Sequence, residues 1–492
     1  LVLGVLVGAV YPAVAADPVV ALAPVASFAV TGSGSELRAS LEPLLGSVAL
    51  SKSSFGVQVV RVSDGVEVLG VGSDVPMLPA STTKLLTAAA ALDALGPSFT
   101  FTTDIHVDGP IIGGVLKGNL YVEGHADPTL TPERLWRIAR DLRLEGIDRI
   151  DGDVVFDDSY FSEGARIPAW DAEEDFERGV TYCPPIGALA SDFGAVTVVV
   201  RPGAEVGKPV VIELGSPAPG YIRVVNKATT AREGSRSRVS IERQVAEDHI
   251  TFEIEGTLAL DASPRRDRRT VVDPTAYTMA MFSGILEEVD IQVSGAAREG
   301  DLPETGARRI HRLYSPPLAS VLMDTNKYSS NFMAEMVLRT LGAEVHGRGT
   351  TEAGLDVVNA YLTRIGVPNT DYVIRNGSGL SRETRIAPSV LTAVLLDMAH
   401  DSKVGSEFIA SLSIAGKDGT LGSRLTDVAG QVRGKTGTLG GVHCLAGYAM
   451  GSDGELYAYA FLVNDLRGSL DAVKALQDDF LREIVAADEA DA

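Results

Sequence analysis

Pro79-Ala80-Ser81-Thr82-Thr83-Lys84, followed by an Ala-rich apolar run to Leu95 and stopped by Gly96-Pro97, is the stretch that decides how this chain is read. The pattern predicts a buried helix with Ser81 and Lys84 in its first turn, because Pro is tolerated at a helix start and Gly-Pro ends one. Positions three apart share one helix face, so a hydroxyl and an amine are brought side by side. The positive end of the helix dipole favours negative charge there. A lysine kept partly desolvated beside other cations loses its proton readily and can then act as base to a serine. Ser-x-x-Lys alone is weak evidence, expected roughly once by chance in a chain of this size. Its ordinary reading is a solvated lysine on a helix turn.

Upstream, residues 55–62 and 66–71 are β-rich runs around Ser63-Asp64-Gly65, a hairpin signature. Downstream, from about 97 to 305, short strands alternate with turns, and the helical patterns are chiefly 132–144 and 274–288. After about 308 helices return at 326–341, 352–365, 388–400 and near 470–485, with strands at 431–435, 442–450 and 456–463 between them. The expected fold class is α/β (α+β). Its antiparallel sheet combines the N-terminal hairpin with the three C-terminal strands and is flanked by helices. A strand-rich insertion, 97–305, interrupts the unit formed by 36–96 and 306–487.

Composition narrows the function. The 492 residues are 45% hydrophobic and 22% charged, as in a globular protein. The formal net charge of −22 argues against nucleic acid, whose phosphates need a basic footprint, and against docking on anionic lipid. Only two cysteines occur, Cys183 and Cys444, so neither a disulfide framework nor a cysteine zinc site can organise the fold; two buried thiols are expected. Seven histidines show no HExxH or paired spacing, and no phosphate loop appears, so neither a metal nor a cofactor is expected. Residues 1–16, LVLGVLVGAVYPAVAA, read as a signal peptide with Ala13-Val14-Ala15 as its cleavage pattern, or as a membrane anchor. Residues 17–35 read as a flexible tether and 488–492 as an acidic tail.

Two further clusters place polar side chains at element ends. Ser329-Ser330-Asn331 sits in a helical segment, where such residues either cap the helix or aim a hydroxyl and an amide into a cleft. Lys435-Thr436-Gly437-Thr438 reads as a strand whose amine and hydroxyl can hold a carboxylate, with Gly437 letting a substrate backbone lie against the edge. Taken alone it reads as an edge strand blunted by a lysine. Ser-x-x-Lys, Ser-x-Asn and Lys-Thr-Gly in this order form the set found in penicillin-binding proteins and class A β-lactamases.

From about residue 55 to 464 the chain resembles the D-alanyl-D-alanine carboxypeptidase/endopeptidases, the low-molecular-mass class C penicillin-binding proteins. The resemblance rests on 79–84, GHADPTL at 124–130, GDVVFDDSYF at 152–161, SPPL at 315–318, and 326–335. NGSGLSR at 376–382, IAGKDGTL at 414–421 and 435–448 continue it. It implies a serine β-lactamase/transpeptidase-like domain interrupted by two small, mainly β domains; Ser81 and Ser329 lie 248 positions apart (329 minus 81), which leaves room for them.

The same resemblance implies a serine-type carboxypeptidase or endopeptidase that trims peptidoglycan stem peptides and binds β-lactam antibiotics, working in the extracytoplasmic bacterial envelope. Ser81 would be the nucleophile and Lys84 its base. Ser329 would pass a proton to the leaving amine, and Asn331 would orient Lys84 and hold the substrate amide. Lys435 and Thr436 would bind the terminal carboxylate, Lys435 also keeping Lys84 neutral. The N–H groups of Ser81 and Thr438 would form the oxyanion hole. Ser378, Arg382, Leu439 and Asp157 match positions that read the peptide side chain, and Arg382 with Asp157 would suit a zwitterionic diaminopimelate end. The chain departs from the family at Asn376, usually Asp, at Thr384, commonly Asn, and at His125, usually within a Gly-rich turn. Two rivals are a penicillin-binding sensor or wall-peptide binding module and a β-lactamase. An intact nucleophile with its base weighs against the first, and the long gap between motifs without a placed glutamate against the second.

Overall fold

The two ends of the chain meet in one sheet. The computed structural model describes residues 36–170 and 173–487; the expected signal segment 1–16, the tether 17–35 and the acidic tail 488–492 lie outside the described residues. Six antiparallel strands run in the order Glu67–Val71, Ser54–Arg61, Leu456–Asn464, Val442–Met450, Val432–Leu439, Ser413–Ile414. The first hairpin therefore pairs directly with the last strand, Ser54 opposite Asn464 and Arg61 opposite Tyr457.

Alternation along the central strands sets what each face can bury. In Leu456–Asn464, Ala458, Ala460 and Leu462 face the helical core, whereas Tyr457, Tyr459, Phe461 and Val463 face the other side. That other side is covered by Glu36–Leu45 and Leu470–Ala486 through Leu37, Leu41, Val473 and Phe480. The helical side receives Lys84–Leu95, apolar around its whole circumference and buried from Lys84 to Leu92. Pro388–His400 packs directly on the sheet, and Lys84–Leu95 lies among it and the neighbouring helices Leu318–Lys327, Asn331–His346 and Thr351–Arg364.

Two elements differ from the sequence expectation, both at polar motifs. Ser81 does not open the α-helix but lies in a 3₁₀ turn, Ala80–Thr83, and the α-helix begins at Lys84. Ala80 is held at φ 47, and the Thr82 and Thr83 hydroxyls tie the turn to the Pro79 and Ala80 carbonyls at 2.7 and 2.9 Å. The helix expected at 326–341 is two helices, Leu318–Lys327 and Asn331–His346. Ser329, at φ 56, breaks them apart and Ser330 caps the second. Hydrophobic periodicity does not report such left-handed residues.

Between Thr102 and Tyr314 the chain builds smaller sheets. Five strands run in the order Ala297–Glu299, Val154–Asp157, Leu120–His125, Thr102–Val107, Arg308–Tyr314. Helices Pro132–Leu144 and Pro274–Glu288 pack with them in an apolar cluster that extends to Val239, Ile241 and Phe252 of a neighbouring sheet. A separate cluster joins Phe161, Ile167 and Ile186 to Phe332, Met333 and Met336, fastening the segments around these three residues to the helix that begins at Asn331.

The helices Asn331–His346 and Thr351–Arg364 cross with almost no space between them: a Cβ at Gly354 would lie 2.0 Å from the Leu338 carbonyl oxygen. Gly354→Ala must push the first helix away, and overpacking of this kind costs about 1–3 kcal/mol. Thermal unfolding should therefore move down by several degrees. An unchanged midpoint would show that this crossing tolerates a side chain.

Candidate active site

A single amine gathers three distant segments. Lys84 Nζ lies 2.9 Å from Ser81 Oγ, 2.7 Å from Asn331 Oδ1 and 2.8 Å from the Ser378 carbonyl oxygen. Lys84 itself is fully buried. A second buried amine stands nearby: Lys435 Nζ is 2.9 Å from Ser329 Oγ and 2.8 Å from the Thr436 carbonyl. The strand that carries Lys435 presses against the 3₁₀ turn, so that a Cβ at Gly437 would sit 2.9 Å from Ser81 N and 2.7 Å from the Pro79 oxygen. Only glycine permits that approach.

Burial moves the charges in one direction. Lys84 is pushed well below the usual lysine range, first by desolvation and then by the Lys435 charge, while Glu335 opposes the shift. Lys435 is pushed down to about 7 by its own burial. Glu335 is itself fully buried and has its carboxyl pushed upward by desolvation. Its two oxygens accept the N–H groups of Gly377 at 3.0 Å and Ser378 at 2.8 Å, fixing the loop whose carbonyl meets Lys84. An amine of lowered basicity next to a hydroxyl, with a carboxylate behind it, is suited to exchange a proton with that hydroxyl.

Ser81, Ser329, Asn331, Arg382, Thr438 and Leu439 line one cleft of about 670 Å³. Thr436 is half-buried beside Thr420, the hydroxyls 2.9 Å apart. Thr438 Oγ1 pairs with the buried His443 Nδ1 at 3.0 Å, and Arg382 donates to the Gly440 carbonyl at 3.1 Å. The His443 imidazole is pushed down to about 4 mainly by burial and so stays neutral. Cys183 and Cys444 are both free and buried.

Two expectations need correction. Asp157 does not line the cleft: its carboxylate is buried and accepts the backbone N–H groups of Ser159 at 2.9 Å and Leu302 at 2.6 Å, as a turn carboxylate does. The Ser378 side chain is fully buried and 3.4 Å from Asn376 Oδ1, so this residue enters the site through its carbonyl rather than its hydroxyl.

Residues that sequence reasoning missed stand in their place. Asp175 and Tyr182 line the cleft, hydrogen-bonded to each other, and the Tyr182 carbonyl accepts from Asn331 Nδ2 at 2.8 Å. Both come from the 173–183 stretch, which Arg243 fastens by donating to the carbonyls of Phe176 and Glu177 and, on its other side, of Thr270. No motif marks Asp175 in a chain rich in acidic residues. Glu335 left one signal: a carboxylate in an otherwise apolar helix, four residues after Asn331 and so on the same face.

Among the described residues, one group of potential metal ligands lies within 4.8 Å of one another, Asp104, Glu123 and His125. Asp104 is already paired with Arg309 and Arg312, whose guanidinium charges occupy the place of a cation.

Comparison with known proteins supplies the family. The model of the D-Ala-D-Ala carboxypeptidase 3 (S13) family matches residues 37–482. A D-alanyl-D-alanine carboxypeptidase of Actinomadura sp. (strain R39) is 34% identical over 90% of this chain and 83% of its own length. One of Haemophilus influenzae is 29% identical over 79% and 80%, respectively. The solved structure of penicillin binding protein 4 from Haemophilus influenzae superimposes with a TM-score of 0.75 at 27% identity, covering 91% of this chain and 97% of that one. The same protein has been solved complexed with a β-lactam, TM-score 0.71 at 25% identity. With this match across the chain, the protein belongs to the D-Ala-D-Ala carboxypeptidase 3 (S13) family of serine peptidases.

Proposed function

We propose that the cleft cleaves the peptide bond after a D-alanine in peptidoglycan stem peptides, both as carboxypeptidase and as endopeptidase, and that β-lactams acylate the same serine. The observation that carries this reading is the buried Lys84 amine 2.9 Å from Ser81 Oγ with Asn331 and the Ser378 carbonyl holding it from the other sides. Lys84, neutral, takes the Ser81 proton as Oγ attacks the D-alanine carbonyl. The oxyanion develops between the N–H groups of Ser81 and Thr438, each such donor contributing about 3 kcal/mol in the transition state. The proton taken by Lys84 passes through Ser329, held by Lys435, to the leaving amine, which restores both groups; the carboxylate of that leaving group lies against Lys435, Thr436 and Thr420. Water then hydrolyses the ester, with Lys84 again as base. Splitting one hard step into two is what the covalent intermediate achieves.

On the acyl side, Asp175 with Tyr182 and Arg382 form an acid, a phenol and a cation suited to a side chain that ends in both an amino group and a carboxylate. The division that fits this reading is a catalytic unit of 36–96 and 306–487 with 97–305 as an insertion that delivers Asp175 to it. We place the protein outside the cytoplasm, where stem peptides are; no helix among the described residues is long and apolar enough to cross a membrane.

Intact-protein mass after penicillin treatment should show one stable adduct on the wild type and none on Ser81→Ala, and the wild type should release D-alanine from a diaminopimelate pentapeptide. In the same assay Asp175→Asn should lose about tenfold in kcat/KM on that peptide, the scale of one charged hydrogen bond, with penicillin acylation unchanged. An adduct without peptide turnover would favour a sensor, and no adduct would remove Ser81 as nucleophile.

The pH profile tests the base. Acylation requires neutral Lys84, so its rate falls as pH drops through the pKa of that amine. Glu335 raises this pKa, and Glu335→Gln removes the charge; the acid limb of the acylation profile should move to lower pH. The variant also leaves one buried N–H facing an amide NH₂, at about 1–3 kcal/mol of stability. An acid limb that stays in place in a folded variant would exclude Glu335 from setting the base.

A further inference from the structure

A second groove, of about 470 Å³, opens on the far side of Ser329. It shares Ser329, Asn331 and Tyr182 with the catalytic cleft, so these three residues form the wall between the two spaces. Its floor is apolar, with Phe193 packed edge-on against Phe332 at 6.0 Å between centroids, and Met333 beside them. One cation lies in it. Arg268 sits over the Phe193 ring at 5.6 Å and is fixed by the Asp192 carbonyl at 2.9 Å and its carboxylate at 3.2 Å. Tyr328 stands on the rim with 75% of its surface exposed.

We infer that this groove receives the leaving half of a cross-linked substrate, the second stem peptide of a dimer. The inference rests on the acyl-serine reading above. When the leaving group is D-alanine, its single carboxylate needs only Lys435, Thr436 and Thr420. When the bond cleaved is a cross-link, the leaving amine belongs to a diamino acid whose remaining atoms continue into another peptide. In both cases the Ser81 Oγ–carbonyl bond forms, the carbonyl–nitrogen bond breaks, and the amine takes its proton at Ser329; water later releases the acid from Ser81. The amine is thus set free at the residue that divides cleft from groove, and a long substituent on it must pass Ser329. What lies beyond is a trough within the ordinary range of ligand sites, with an apolar floor for peptide side chains and a guanidinium for a distant carboxylate. Asp324 also lines the trough and would disfavour a carboxylate beside it. Packing of the fold gives no reason for the exposed Tyr328 ring, whereas a peptide laid across the rim would cover it.

The test compares two substrates on the full-length protein. Wild type, Tyr328→Ala and Arg268→Gln are assayed for release of D-alanine from a monomeric pentapeptide, for cleavage of a cross-linked stem-peptide dimer, and for the rate of penicillin acylation. Each variant should lose about tenfold in kcat/KM on the dimer and stay within about twofold of wild type on the monomer and on penicillin. Equal losses on both peptides, or no loss on the dimer, would overturn the assignment. So would a wild type that releases D-alanine yet leaves the dimer intact. A wild type that penicillin does not acylate would instead remove the acyl-serine reading beneath it, which keeps the two failures apart.

Discussion

The burial of one amine is the constraint from which the rest of the cleft follows. A lysine side chain deprived of water is stable only if polar atoms surround it or its proton leaves. Lys84 meets both conditions, taking Ser81, Asn331 and the Ser378 carbonyl as neighbours and losing basicity to its surroundings. Those three partners come from segments 247 and 294 positions away from Lys84 in two cases, so the amine is also a point at which the fold is checked. Glu335 belongs to the same arrangement. It neither touches the cleft nor replaces the lysine's partners, but it fixes the loop that bears one of them.

The three polar motifs and the central sheet were legible because chemistry and periodicity both leave marks in a linear sequence. The apolar run at 456–463, read as a strand, and the Ala-rich run after Lys84, read as a buried helix, match the elements observed. What stayed hidden depends on direction or on long-range packing. Ser378 stands in a motif, yet its carbonyl and not its hydroxyl reaches Lys84. Asp157 stands in another, yet two backbone N–H groups hold it in a turn. Asp175 carries no local signature, because it reaches the cleft through long-range attachments of its segment, to Asn331 and to Arg243, the latter 68 positions along the chain (243 minus 175).

Strain marks the two hydroxyl-bearing loops. Ala80, adjacent to Ser81, and Ser329 itself both hold a left-handed backbone without being glycine. Conformations of this kind cost about 1–3 kcal/mol each and persist only where surrounding contacts enforce them. Here the enforcement is visible: threonine hydroxyls bind the first turn, Gly437 presses on it, and Lys435 together with the capped helix at Ser330 holds the second. The Ser81 and Ser329 hydroxyls are thereby held in place by the fold itself.

The pairing of the first hairpin with the last strand has a consequence for biogenesis. Ser54–Arg61 can find its neighbour only when Leu456–Asn464 has been made, some 400 residues later. At about 5–20 residues per second of synthesis, that interval is roughly 20–80 s. During it Ser54–Arg61 presents an unpaired edge, in addition to that of Glu67–Val71, and such an edge is a template for wrong partners. The intervening 102–314 region has an apolar core of its own and can condense in that time, which draws the two halves of the sheet together. Until Leu456–Asn464 is made, the sheet therefore stays open along Ser54–Arg61.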